Sequence, residues 1–256
     1  MEKITSKNNT IIKDTKKLFT SSKARAEKKR FVLEGARLCF DVLNSVYEAD
    51  SVFYTESIMK KYPDKLDALI KACDSAYLIG DDIAQKLTDT KTAQGIFLTV
   101  KMRDCKNETG DKVIALDNVQ DPSNVGAIIR SAEALGIDSV VVYDGCDIYN
   151  PKAIRASMGS VLRMNVIKTD DLSGLLGGFS NNGYGVYATV PDSTAVKITD
   201  VDFSGKAVCV IGNEANGVEQ EIKSACDELV TIPMLGRAES LNASVAASIT
   251  MWEMLR

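Results

Sequence analysis

The feature that most constrains this 256-residue chain is the regular alternation that begins at Val113. Apolar runs such as "KVIALDNV", "SVVVYDG", "GVYATV" and "KAVCVIG" alternate with segments of helical period, among them "SNVGAIIRSAEALG" and "VEQEIKSACD". Strands this apolar along their whole length have no wet face. They must be covered on both sides, which implies an α/β domain with a mostly parallel sheet and helices on both faces. The same pass reads "NPKAIRASMG" as a short helix with Pro151 in its first turn, and "VLRMNVI" and "ELVTIPM" as strands. "DLSGLLGGFSNNG" reads as a helix followed by a turn.

The first hundred residues read as a smaller α/β module. Arg30–Val46 is expected to be one helix, with Leu33, Leu38, Cys39, Val42 and Leu43 on its apolar face. "SVFYTES" is expected to be a strand, "YPDKLDALIKACD" a helix with Pro63 near its start, "AYLIGDDIAQKLTDT" a strand and a short helix, and "GIFLTVKM" a strand. Residues 1–103 are therefore assigned to an N-terminal domain, the polar, turn-rich 104–112 to a linker, and 113–256 to the second domain.

Composition removes several chemistries. The chain has no histidine, so Ser-His-Asp and Cys-His catalysis are excluded. Its cysteines, Cys39, Cys73, Cys105, Cys146, Cys209 and Cys226, form no CxxC pair and read as small buried hydrophobes; no metal is expected. No apolar run approaches a membrane span, and the first residues lack a signal-peptide core, which points to a cytoplasmic protein with no membrane partner. Residues 1–40 hold 11 Lys and Arg against 4 Asp and Glu, so this end carries +7 and the remainder −11 of the net −4. A basic end on an acidic body suggests contact with a phosphate backbone; a solvated, partly disordered tail explains the charge as well.

Three stretches carry the candidate chemistry. In "LDNVQDPSNVGAIIRSAEALG", Val125, Ile128, Ile129, Ala132 and Leu135 share a face, Ser123 or Asn124 is placed to cap the helix, and Arg130 points away from the apolar side. In "VCVIGNEANGVEQEI", a strand ends at Gly212 and a polar loop leads to a helix. Such a junction lies at the carboxyl edge of a parallel sheet, where α/β proteins bind ligands. The loop is neither GxGxxG nor a P-loop, and Glu214 reads equally as a cap or a solvated carboxylate. In "LVTIPMLGRAESLNASVAASITMWEML", a strand stops at Pro233 and Ser240 and Asn242 open a closing helix that is thin in bulky residues.

Taken together, Asn124–Gly126–Arg130, Gly212–Asn213–Glu214 with Gly217, and Ile232–Pro233–Met234 followed by Ser240–Leu241–Asn242 resemble, in order and spacing, the signature motifs of the SpoU/TrmH family. These are RNA ribose 2′-O-methyltransferases of the SPOUT class. "NPKAIRASMGSV" resembles another segment of that family, and "RFVLEGARLCFDVL" its L30e-like substrate-binding domain. The resemblance covers nearly the whole chain.

The resemblance implies a C-terminal trefoil knot, a bent S-adenosyl-L-methionine in a site made of the knotted loops, and a homodimer. A closing helix rich in Ala and Ser suits the close backbone approach of a knot; Leu241, Val245, Ile249 and Trp252 would then face the core or a partner subunit. It implies catalytic roles for Arg130, Asn124, Glu214, Ser240 and Asn242. Cofactor contacts would come from Gly212, Ile232, Leu241, Asn213, Met234 and Thr189. An arginine is not normally deprotonated, so Arg130 is expected to stabilise an alkoxide or position a phosphate rather than act as a simple base. Lys28, Lys29, Arg30 and Arg37 are candidates for RNA phosphate contacts. The expected substrate is 23S ribosomal RNA, with transfer RNA as the alternative. A catalytically silent RNA-binding protein on the same scaffold and a small-molecule α/β enzyme are the other readings.

Overall fold

The structure is a computed structural model that describes residues 2–88, 91–103 and 108–256. Residues 104–107 of the expected linker, with Cys105, and the last two residues of the stretch ending at Thr90 lie outside the described residues. The chain divides into two compact units. One comprises Met1–Asp104 with Tyr149–Arg163, the other Cys105–Ile148 with Met164–Arg256.

The first unit opens with β1 (Glu2–Ile4), α1 (Thr10–Thr20) and α2 (Ser22–Lys28). Of the two readings of the basic end, the disordered tail is therefore set aside. Asn9 and Ser21 cap these helices through their side chains, and Ile12, Leu18 and Phe19 are buried. The chain continues through β2 (Arg30–Glu34), α3 (Ala36–Asp41), β3 (Ala49–Tyr54), α4 (Glu56–Lys61), α5 (Pro63–Ala72), β4 (Ser75–Ile79), α6 (Asp81–Leu87) and β5 (Ile96–Lys101). Among the described residues these strands form a mixed sheet in the order β1-β4-β3-β5-β2. The helix expected over Arg30–Val46 is corrected at its start: Phe31, Val32 and Leu33 are consecutive and all buried, which no single helix face permits, and they pair antiparallel with β5. Gly35, at φ 98°, ends the strand and admits α3. Leu43 is half exposed instead of on a buried face.

In the second unit β6 (Lys112–Asp117) is followed by α7 (Pro122–Leu135) and β7 (Ser139–Tyr143). The next helix, α8 (Pro151–Ser157), belongs to the segment that packs with the first unit, where Tyr149 stacks on Phe31 at a centroid distance of 4.4 Å. The second unit resumes with β8 (Asn165–Thr169), α9 (Leu172–Asn181), β9 (Gly185–Thr189), β10 (Val196–Lys197), β11 (Ala207–Ile211), α10 (Gln220–Ser224), β12 (Glu228–Thr231) and α11 (Ala243–Leu255). Among the described residues the sheet order is β10-β12-β9-β11-β6-β7-β8, parallel at every pairing. Val113, Ala115, Val141, Val186, Ala188, Val208 and Val210 form its core.

Several boundaries differ from expectation. The cap of α7 is Asp121 rather than Ser123 or Asn124, because Pro122 occupies the first helical position and the Asp121 carboxylate accepts the Ser123 N–H at 2.8 Å. The strand expected at Val161 begins only at Asn165: Met158 and Gly159 are both left-handed (φ 51° and 91°), and a 3-10 turn over Ser160–Leu162 intervenes. The strand expected to reach Pro233 stops at Thr231. Edge strand β10 was not anticipated.

The closing helix inverts one alternative. Its buried face is Ala243, Ala247, Thr250, Met251 and Met254, and Ser248 donates to Ser131 of α7 at 3.0 Å. The small residues thus sit where α11 lies against α7. Leu241, Val245 and Trp252 are exposed, not in the core of the unit. Among the described residues no helix is long and apolar enough to cross a membrane.

Candidate active site

The order of the parallel sheet reverses direction between β6 and β11, and the loops leaving their carboxyl ends face each other there. Glu214, in the loop after β11, is the hub. Its carboxylate accepts the Gln120 N–H at 3.1 Å, the Asp121 N–H at 3.0 Å and the Asn124 Nδ2 at 2.8 Å. Asn124, buried in the first turn of α7, accepts in turn from the Asn242 Nδ2 at 3.0 Å. Asn242 then uses its Oδ1 to cap α11, taking the Ser244 N–H at 2.9 Å. One chain of side-chain bonds therefore ties the loop after β6 and the start of α7 to two segments 90 to 118 residues further along the chain. Burial works to raise the Glu214 pKa, but the bonds from Asn124, Gln120 and Asp121 outweigh it and hold the carboxyl below its ordinary value.

The loop after β11 is closed on itself. Asn213 and Gly217 exchange backbone bonds at 3.1 and 2.9 Å, and the Asn213 side chain accepts the N–H groups of Ala215 and Asn216 while donating to the Asn118 carbonyl at 2.8 Å. Gly212 is required by space: a Cβ there would fall inside the backbone of Gly217 and Val218. Beneath the loop Asp117 is fully buried. One oxygen accepts the Glu219 N–H at 2.7 Å, and the other has no partner among the described residues. Desolvation raises its pKa.

A cleft of about 380 Å³ opens beside this network. All six residues expected to touch a cofactor line it: Thr189 from the end of β9, Gly212 and Asn213 after β11, Ile232 and Met234 after β12, and Leu241 before α11. Glu214 and Ser240 also line it. Asn124 and Asn242 do not, but they hold Glu214 and the start of α11. Arg130 is exposed on α7 and lines neither cleft nor network; among the described residues it makes no ion pair. Of the basic candidates in the other unit, Lys28 pairs with Asp14 at 2.8 Å and Arg30 with Asp50 at 2.8 Å, whereas Lys29 and Arg37 are exposed.

Gln120 and Asp121 were missed as binding partners of Glu214, and Lys223 and Glu239 as residues of the cleft. The polar cluster "DNVQD" directly after a buried strand was the available signal for the first pair. Lys223 and Glu239 carried none.

Comparison with known proteins gives two family matches. Residues 111–252 match the SpoU rRNA Methylase family, and residues 9–98 match the MRM3-like substrate binding domain. The chain is 32% identical over 255 residues to the Bacillus subtilis 23S rRNA (guanosine(2553)-2'-O)-methyltransferase RlmP, covering 99% of each. Over 145 residues it is 37% identical to the Xanthomonas axonopodis 23S rRNA (guanosine-2'-O-)-methyltransferase RlmB, covering 56% of this chain and 58% of that one. Its fold matches the AdoMet-bound rRNA methyltransferase from Sinorhizobium meliloti with a TM-score of 0.88 at 26% identity, over 99% and 97% of the two chains.

Proposed function

The chain belongs to the SpoU rRNA Methylase family, and we propose that it methylates a ribose 2′-hydroxyl of 23S ribosomal RNA with S-adenosyl-L-methionine as donor. The observation that carries this reading is the joining of the three motifs into one edge of the parallel sheet: Glu214, Asn124 and Asn242 bonded in series beside a cleft lined by Thr189, Gly212, Asn213, Ile232, Met234 and Leu241.

The cleft fits the donor. Apolar Val190, Ile211, Ile232, Met234 and Leu241 suit a purine face, while the backbone of the 212–217 loop, Lys223 and Glu239 offer polar groups for the rest. Gly212 keeps that loop close, where a side chain would push it open. When bound, the cofactor supplies a methyl group activated by a sulfonium. Everything else falls to the chain.

Glu214 is a poor general base, since its oxygens already accept three donors from other residues and its pKa is lowered. Its role is positional: it fixes the loop after β6, and through Asn124 the start of α11 with Ser240. Arg130 is the cation of the family's first motif. It stabilises negative charge developing on the ribose oxygen or holds the neighbouring phosphate. The exposed Val245 and Trp252 give α11 an apolar outer face that suits a second copy of the chain, and the knot implied by the family belongs to the same reading. The first unit presents the RNA, through Lys29 and Arg37 before the ion-paired Lys28 and Arg30.

The test is transfer of labelled methyl from S-adenosyl-L-methionine into unmodified 23S and transfer RNA transcripts by wild type and Arg130→Ala. Label confined to 23S RNA, resistant to alkali and lost in the variant, supports the reading. Label in transfer RNA moves the substrate, and cofactor binding without any transfer favours the silent scaffold.

A further inference from the structure

The first unit holds a second pocket, of about 270 Å³, lined by Glu34, Arg37, Leu38, Gln94, Arg155 and Met158. Its floor is unusual. Glu34, the last residue of β2, is 7% exposed, yet only half of its carboxylate is used. Oε1 accepts the Thr88 hydroxyl at 2.6 Å, with the Gln94 N–H at 3.5 Å. Oε2 is buried and has no partner among the described residues. A buried, half-bonded carboxylate costs free energy unless something donates to it. A Cβ at Gly35 (φ 98°) would clash with the Gln94 side-chain oxygen, so only glycine lets Gln94 lie against the backbone and wall one side.

The rest of the lining narrows the ligand. Arg37 is exposed and makes no ion pair among the described residues. Met158, 39% exposed and held left-handed at φ 51°, presents a polarizable apolar surface at the rim. The volume lies just below the range of about 300–1,000 Å³ typical of small-ligand sites, which suits one planar ring system rather than a stack of them.

We propose that this pocket takes one unstacked guanine of the RNA substrate. Of the four bases, guanine alone offers two adjacent N–H donors on its Watson–Crick edge, which match a carboxylate with free acceptor capacity. Its other edge carries O6 and N7, the pair that arginine recognises. Glu34 reads N1–H and N2–H, Arg37 reads the opposite edge, and Met158 covers the ring. Arg155 adds positive charge for the adjoining phosphate. The inference rests on the RNA reading above but concerns a different site from the methyl-transfer cleft.

The test is fluorescence anisotropy on the full chain with labelled short oligoadenylates carrying one central guanosine, inosine, adenosine, cytidine or uridine. Inosine keeps O6, N7 and N1–H but lacks the N2 amino group. Wild type should bind the guanosine strand about tenfold tighter than the inosine strand. Glu34→Gln should lose that preference while binding the all-adenosine strand as wild type does. Arg37→Ala should weaken the guanosine and inosine strands together. Equal binding of guanosine and inosine by wild type overturns the proposal, as does a preference that survives in Glu34→Gln. If Glu34→Gln does not fold, the wild-type comparison and the exposed Arg37→Ala decide alone. Cofactor binding is measured on the same samples by calorimetry. Its absence counts against the methyltransferase reading, and the base preference is scored separately.

Discussion

Glu34 and Glu214 are both carboxylates at the carboxyl ends of strands, one in each unit, and they are treated in opposite ways. Glu214 is exposed and saturated: two backbone N–H groups and the Asn124 amide fix it. Glu34 is buried and half satisfied, with the Thr88 hydroxyl and the Gln94 N–H on one oxygen and, among the described residues, no donor on the other. The first is a structural anion whose donors all come from the fold. The second keeps acceptor capacity in a place where water does not reach. A polar group already matched by its own chain positions its neighbours, whereas one left unmatched in a pocket is available to a ligand.

The contrast can be broken by removing donors. Glu214→Ala should have the largest effect, because it releases the loop after β6, Asn124 and the start of α11 at once. Methyl transfer is expected to fall about 10²–10³-fold, as when one group of a preorganised site is removed. Single-turnover rates with saturating cofactor measure it, and a loss under tenfold would make Glu214 a bystander. Thr88→Val acts on the other carboxylate and should be felt in stability. It leaves a buried carboxyl group with less support and should cost about 1.5–3 kcal/mol in urea unfolding, with cofactor binding per folded molecule unchanged. Asn124→Ala removes a donor from a carboxylate that retains two others. Its stability cost should be nearer 1 kcal/mol, although transfer drops with it. If Asn124→Ala proves costlier to folding than Thr88→Val, the distinction between the two sites fails.

The smallest expected effect is in pH. The folded pKa of Glu214 is depressed, so its carboxylate adds stability that is fully present above the ordinary value of 4.5 and is lost as pH falls through the lower folded value. Solvent exposure weakens this contribution. Urea midpoints of wild type and Glu214→Gln should differ more at neutral pH than in acid below the ordinary carboxylate range. A gap that widens on acidification would contradict the saturated-anion picture.

The two units also differ in how far the sequence revealed them. In the second, uninterrupted apolar runs such as Val113–Leu116 and Val208–Ile211 have only one physical solution, and the parallel sheet was legible from them. The six cleft residues were reached by resemblance, since nothing in the isolated letters of Ile232 or Leu241 says that they share a wall. The Asp121 cap was lost to Ser123 and Asn124 because all three residue types can cap, and only the fixed φ of Pro122 decides between them. In the first unit Arg30–Glu34 was mistaken for helix: the apolar spacing of the following turn hid a run of Phe31, Val32 and Leu33. The guanine pocket was invisible, since it joins Glu34, Gln94 and Arg155 from distant parts of the chain.

The outer face of α11 has a further consequence. Trp252, the only tryptophan in the sequence, stands on that face and is 61% exposed. The protein thus carries its single indole, which can be excited selectively over the tyrosines, on the surface assigned to a second copy. Dilution should move its emission to longer wavelength as that surface becomes wet, while ligands held in the first unit should leave the spectrum unchanged.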